Sequence, residues 1–198
     1  MRLSRLEKHI VAAAAVAAGV AASANAAVVT WNCNLVIPAN IDGLYINVET
    51  QQSGAAGAGV AGWDINPYGA TNMQFFSSTG GGSMRYPGVT TGSAGSRAIG
   101  NTVGASGSWS TSTTAVTFGS AAGNWQLNAT NYFGFRFVGA DSGVRYGFGV
   151  MQVGANAATR TLLSVSYESV AGQSIVVPAP GALALLGVAG LAGARRRR

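Results

Sequence analysis

Several stretches of the chain alternate apolar residues with polar or small ones at a period of two. Leu44, Ile46 and Val48 alternate with Tyr45, Asn47 and Glu49, and Phe133, Phe135 and Phe137 with Tyr132, Gly134 and Arg136. Val144, Tyr146, Phe148 and Val150 alternate with Arg145, Gly147, Gly149 and Met151, and Leu163, Val165 and Tyr167 with Leu162, Ser164 and Ser166. A period of two places successive side chains on opposite faces of a strand. Gly139-Ala140-Asp141-Ser142-Gly143 separates two of these runs, which predicts a hairpin. A first strand is expected from Val28 to Val36, ahead of Pro38. Shorter ones are expected near Met73–Phe76, Ala98–Val103, Ala115–Phe118 and Ser174–Val177. Residues 51–62 and 77–112 are rich in Gly, Ser and Thr and are expected as long loops. Short strands divided by turn residues predict an all-β fold, a single antiparallel β-sandwich of jelly-roll-like type over residues 27–176.

Two apolar runs do not alternate. Ile10 to Val20 follows a basic segment and precedes small residues ending Ala24-Asn25-Ala26. Basic segment, short apolar core and A-x-A site make up a secretory signal peptide over residues 1–26, with cleavage after Ala26. Ala22-Ser23-Ala24 offers a second site. As a helix the apolar core rises only about 16 Å, well short of a bilayer's roughly 30 Å. The second run, Gly181 to Ala194, lies between Val177-Pro178-Ala179-Pro180 and the four arginines Arg195, Arg196, Arg197 and Arg198. It predicts a short hydrophobic helix. Arginines stay on the cytoplasmic side of such a segment, so the domain before it would lie outside.

Charge follows the same division. The chain of 198 residues has a formal net charge of +6. Between the two apolar ends, Arg85, Arg97, Arg136, Arg145 and Arg160 are cancelled by Asp42, Glu49, Asp64, Asp141 and Glu168. All the excess therefore sits in the ends, and a nucleic-acid partner, which needs positive charge on the folded surface, is not expected.

Residues 177–198 resemble the PEP-CTERM sorting signal of Gram-negative bacteria in all three parts: a Pro-x-Pro motif, a hydrophobic helix and an arginine cluster. Ala179 stands where the family has Glu. The resemblance implies an exosortase-type processing enzyme as partner and transient inner-membrane anchoring by the C-terminal helix. It then implies removal of the tail and delivery to the cell surface or exterior. Such proteins are associated with extracellular polysaccharide and biofilm. The Gly-rich body also resembles β-sandwich domains found upstream of this signal, through Trp63-Asp64-Ile65-Asn66-Pro67-Tyr68, the run Tyr132–Phe137 and Tyr167–Ile175.

Candidate chemistry is sparse. The one His is His9 and the one Lys is Lys8, both in the N-terminal segment. Triad, Cys–His and Schiff-base mechanisms therefore lack their base or nucleophile. One Cys cannot build a zinc site or an internal disulfide. Cys33 shares the alternation side of Trp31 and Leu35 and is expected to be buried. Gly57–Gly62 matches G-x-G-x-x-G, but Pro67 interrupts the helix that a dinucleotide site needs. Asp64-Ile65-Asn66 is a fragment of a calcium loop, with Phe75 where the bidentate Glu belongs. Glycoside hydrolysis needs two convergent carboxylates. Glu49 and Glu168 are placed on solvent faces, and Asp42 and Asp141 in turns. No cofactor, metal or catalytic residue is expected. The leading expectation is a non-enzymatic surface or matrix protein. The alternative is a carbohydrate-binding module, with Trp63, Asp64, Asn66 and Trp109 as candidate contacts, because aromatic faces with neighbouring amides and carboxylates suit sugars.

Overall fold

The longest alternating runs form the longest strands in the computed structural model, which describes residues 26–84, 94–119 and 123–178. In chain order the strands are β1 (Val28–Trp31), β2 (Leu35–Val36), β3 (Tyr45–Asn47), β4 (Gln52–Gly54), β5 (Ile65–Tyr68), β6 (Gln74–Ser77) and β7 (Gly82–Met84). There follow β8 (Thr102–Val103), β9 (Trp109–Ser110), β10 (Thr114–Ala115), β11 (Ala129–Val138), β12 (Val144–Val153), β13 (Arg160–Glu168) and β14 (Ile175–Val176). The fold is all-β and its sheets are antiparallel. A seven-stranded sheet runs β1-β13-β12-β11-β7-β9, with β2 also on β13; a five-stranded sheet runs β10-β6-β5-β3-β4; β14 pairs with β8. Among the described residues the helical turn is a 3-10 turn at Gly57–Gly59, and no helix is long and apolar enough to cross a membrane. Residues 1–25 of the expected signal peptide (1–26) and the hydrophobic helix of the C-terminal tail lie outside the described residues.

The main core lies between the two larger sheets. Ile46, Ile65 and Phe75 from one meet Phe133, Phe135, Phe137, Met151, Val165 and Tyr167 from the other. Trp125, fully buried, joins Phe75 and Phe133 at ring-centre distances of 5.9 and 6.1 Å. The opposite face of the large sheet is also covered. Val103 of β8 and Ile175 and Val177 at β14 pack on Tyr146, Phe148 and Val150. Strand β12 is thus buried on both sides, which explains its composition. Gly147 and Gly149 pair directly with Phe135 and Phe133, and the rings lie over them. A Cβ at Gly149 would sit 2.2 Å from Phe133 Cζ, and one at Gly147 2.5 Å from Phe135 Cζ. The glycines make room for rings that fill the layer between the sheets.

Some expected elements change. The strand expected over Val28–Val36 is two, because Asn34 takes a positive φ of 48° and the amides of Cys33 and Asn34 both donate to Leu163 O. Cys33 is half-buried, with its thiol against Leu162 O. The β12–β13 register shifts between Val150 and Met151, and the extra residue, Leu163, bulges. The alternation changes phase there: Leu162 enters the main core while Leu163 packs on the opposite face. The two expected loops hold β4 and the 3-10 turn in one case, and β7, β8 and β9 in the other. The strand expected at Ala98–Val103 is reduced to β8.

Candidate functional site

The sequence candidates separate in space. Trp63 is half-buried and turned outward beside the five-stranded sheet. Its ring meets Tyr45 edge-on at 5.0 Å and Phe76 at 5.7 Å. Asp64 and Asn66 are buried instead of presented to a ligand, and they leave the candidate set. Asp64 Oδ2 accepts the Val48 amide at 2.7 Å. Asn66 Nδ2 donates to Asp42 O at 2.8 Å. Both side chains serve backbone groups distant in sequence, a need that no local pattern reveals. Trp109 is also corrected. It is half-buried against Tyr146 at 5.8 Å, with the Arg136 guanidinium 5.2 Å from its ring centre, within cation–π range. It belongs to the second core rather than to an open loop.

The residues that gather around Trp63 were not singled out as contacts in the sequence. Registers on β5 and β6 pair Tyr68 with Gln74 and Asn66 with Phe76. Since Phe75 points into the core, Gln74 and Phe76 share the outer face. Phe76 is 39% exposed. Tyr45 extends the row onto β3, and the Gly57 turn lies against it: a Cβ at Gly57 would be 3.0 Å from Tyr45 Cε1 and 3.1 Å from Trp63 Nε1. At the other end a depression of about 200 Å³ opens between Ile41, Tyr68, Ala70, Asn72 and Gln74. Tyr45 had a usable signal, since it is an aromatic residue in the outward phase of its alternation. Phe76 had another, since adjacent Phe75 and Phe76 cannot both face one side of a strand.

The carboxylates form structural ties. Asp141 accepts from both Arg145 terminal nitrogens at 2.7 and 2.9 Å and from the Gly143 amide at 3.0 Å, closing the hairpin turn. Arg145 holds the Asp141 carboxyl down at about 2. Glu49 accepts the Ala140 amide at 2.9 Å and lies 3.7 Å from Arg145, tying the β3–β4 turn to the hairpin tip. The Asp42 turn is held by Asn40 Oδ1, which accepts the Asp42 and Gly43 amides. Glu168, expected on a solvent face, is 6% exposed and faces Ser169 Oγ and the Val170 amide. Among the described residues no group of three or more His, Cys, Asp or Glu side chains could hold a metal ion.

Burial, and secondarily the charge of Glu49, pushes Asp64 up to about 7 against an ordinary 3.8; the Val48 amide opposes the shift. Between roughly pH 4 and 7 the folded chain therefore keeps a proton that the unfolded chain releases. Stability contributed by Asp64 is complete below that window and is lost as pH rises through it, by at most about 1.4 kcal/mol per pH unit. Asp141 acts with opposite sign and lower, its contribution being lost as pH falls from about 4 towards 2. Asp64→Asn keeps an acceptor for Val48. Urea midpoints at pH 4.5 and 7.5 should fall with pH in the native chain and lie nearly level in the variant.

Of the expected processing residues, Ala26 is exposed at the start of the described region, and Val177 and Pro178 end it. Val177 is fully buried, its amide donating to Asn101 O and its carbonyl accepting from Gly100 N. Ala24, Ala179, Pro180 and Arg195, Arg196, Arg197 and Arg198 lie outside the described residues. No family model matches the chain, and neither the curated proteins nor the solved structures contain a significant match to it.

Proposed function

We propose that the chain is an exported, non-enzymatic protein of the cell surface or extracellular matrix, processed at both ends and associated with exopolysaccharide. Its partners in transit are a signal peptidase and an exosortase-type enzyme, with the C-terminal helix holding it at the inner membrane between the two cuts. We take its two larger sheets as a jelly-roll-like sandwich.

One observation supports this reading above others. Among the described residues, the first and last backbone hydrogen bonds lie beside the two proposed processing points. Ala27 is tied at both backbone groups, its amide to Ser169 Oγ at 3.2 Å and its carbonyl to the Ser169 amide at 3.0 Å. At the other end, Val177 is seated in the second core immediately before Pro178. Removal of residues 1–26 and of the tail beyond the Pro-x-Pro motif costs the fold none of these bonds.

The intact mass of the protein recovered from its host tests the reading. The expected mass corresponds to a start at Ala27 and an end within Val177–Pro180, with any excess marking a covalent anchor or glycan. A mass that still includes residues 181–198 overturns the sorting reading.

The second reading, a carbohydrate-binding module, is favoured by the outward aromatic row of Tyr45, Trp63 and Phe76.

A further inference from the structure

We propose that the outer face of β5 and β6, from Tyr45 through Trp63, Phe76 and Gln74 to Tyr68, binds an extended, uncharged polysaccharide; this rests on the carbohydrate-binding reading.

The strip has the dimensions of such a ligand. From Trp63 to Tyr68 the strand advances roughly 17 Å, with the Tyr45 ring at one end and the depression beside Tyr68 at the other. Its rings can cover the C–H faces of sugars, which is how aromatic side chains bury the apolar part of an amphipathic ligand. Polar groups are interleaved with them. Among the described residues the Trp63 indole N–H, the Tyr45 hydroxyl and the Gln74 amide have no hydrogen-bond partner, and none is sealed from solvent. A hydroxyl-rich chain would supply partners to all three.

Charge narrows the class. Asp64, the acid nearest in sequence, is turned away onto the Val48 amide. Arg145 is committed to Asp141 and Glu49, and Arg136 lies over Trp109. The strip's own side chains, Tyr45, Trp63, Phe76, Gln74 and Tyr68, are all uncharged; of the described charges near the depression, Arg160 is buried and spends its guanidinium on carbonyls including Gly69 O and Asn72 O, and Asp42 follows Ile41 at the rim. An apolar protein surface would leave the three polar groups unpaired at a cost, so a neutral glycan fits better than a second copy of the chain.

The test titrates the exported, mature protein with cellohexaose, xylohexaose, laminarihexaose and maltohexaose, and with hexagalacturonate as the anionic counterpart. Binding is followed by calorimetry and by tryptophan emission. At least one neutral hexaose is expected to bind with a blue shift in emission. Phe76→Ser and Trp63→Ala should each weaken that binding tenfold or more, and Gln74→Ala, a surface change that leaves the rings in place, three- to tenfold. Unchanged urea midpoints for Gln74→Ala and Phe76→Ser separate lost contact from lost fold. Binding that survives all three substitutions overturns the strip and leaves the carbohydrate reading standing. Binding of hexagalacturonate alone, abolished by salt, overturns the neutral chemistry. No binding of any saccharide overturns both the strip and the module reading, but leaves the surface-protein reading to its mass measurement. A concentration-dependent dimer lost in Phe76→Ser overturns the proposal in favour of self-association.

Discussion

Trp125→Ala lowers the stability of the domain by about 3–5 kcal/mol, the range for emptying a fully buried aromatic site. Trp125 is 0% exposed and is shared between three rings: Phe75, Phe118 and Phe133. Its Nε1 also donates to Ala94 O at 2.9 Å. The ring fills the layer between the two larger sheets, and the indole N–H holds the segment that leads to the Ser96–Phe133 bridge. Alanine leaves a cavity and an unpaired carbonyl together. Trp125→Phe separates the two effects, since it keeps most of the volume but orphans Ala94 O, at about 1–2 kcal/mol. Urea denaturation should show both as shifts in midpoint with an unchanged slope. In thermal unfolding the alanine variant should melt roughly 10 °C lower.

Arg160→Met costs about 3 kcal/mol or more, although the side chain makes no ion pair with any described residue. Arg160 is 2% exposed and spends its guanidinium on carbonyls. One terminal nitrogen donates to Pro38 O and Gly69 O, the other to Ala157 O and Asn72 O. These carbonyls belong to the exit from β2, the β5–β6 turn and the β12–β13 turn, so one side chain joins three connections. Burial without a carboxylate lowers its pKa, and the four acceptors offset that cost. Methionine removes the donors and leaves the carbonyls unpaired. Arg160→Lys recovers less than half of the loss, because an ammonium cannot reproduce the planar fork. Denaturation midpoints of the three proteins test the order Arg, Lys, Met; a lysine variant as stable as the native chain would show that charge alone suffices. Gly69 and Asn72 border the depression beside Tyr68, so the same substitution should also weaken saccharide binding.

The parts of this fold that were legible in the sequence are those where one face of a strand is uniformly apolar. Phe133, Phe135 and Phe137 read correctly as one face of a strand, and the loop to β12 as a hairpin, because ten-residue strands give the pattern room to repeat. The alternation failed at Leu163 because a bulge inserts one residue and reverses the phase, and nothing local marks it. β7 and β9 were hidden because strands of two or three residues are shorter than any readable period. At the candidate site Trp63 was singled out from the sequence, and Tyr45 and Phe76, though each carried a signal, were not. Asp64 and Asn66 looked like ligand groups because they are polar and adjacent to it. Their burial is decided by Val48 and Asp42, brought close only by the tertiary fold. The proposed cleavage points were read from composition, and the residues the fold ties down lie beside them.

The edge formed by β1 on β13 has a kinetic consequence. Ala27 and Ser169, which hydrogen-bond to each other, lie 142 residues apart in the chain, and β1 pairs with β13 over its whole length. A chain made from its N terminus therefore carries β1 without its neighbour until almost the entire domain has emerged. Closing so long a loop is slow, and such non-local pairing places the domain among slow folders. The meander β11–β12–β13, local in sequence, can assemble first and serve as the template on which β1 lands. Until then both its edges are open to other strands. A chain passed through a narrow channel N terminus first would cross it unfolded and would complete its sheet only on the far side.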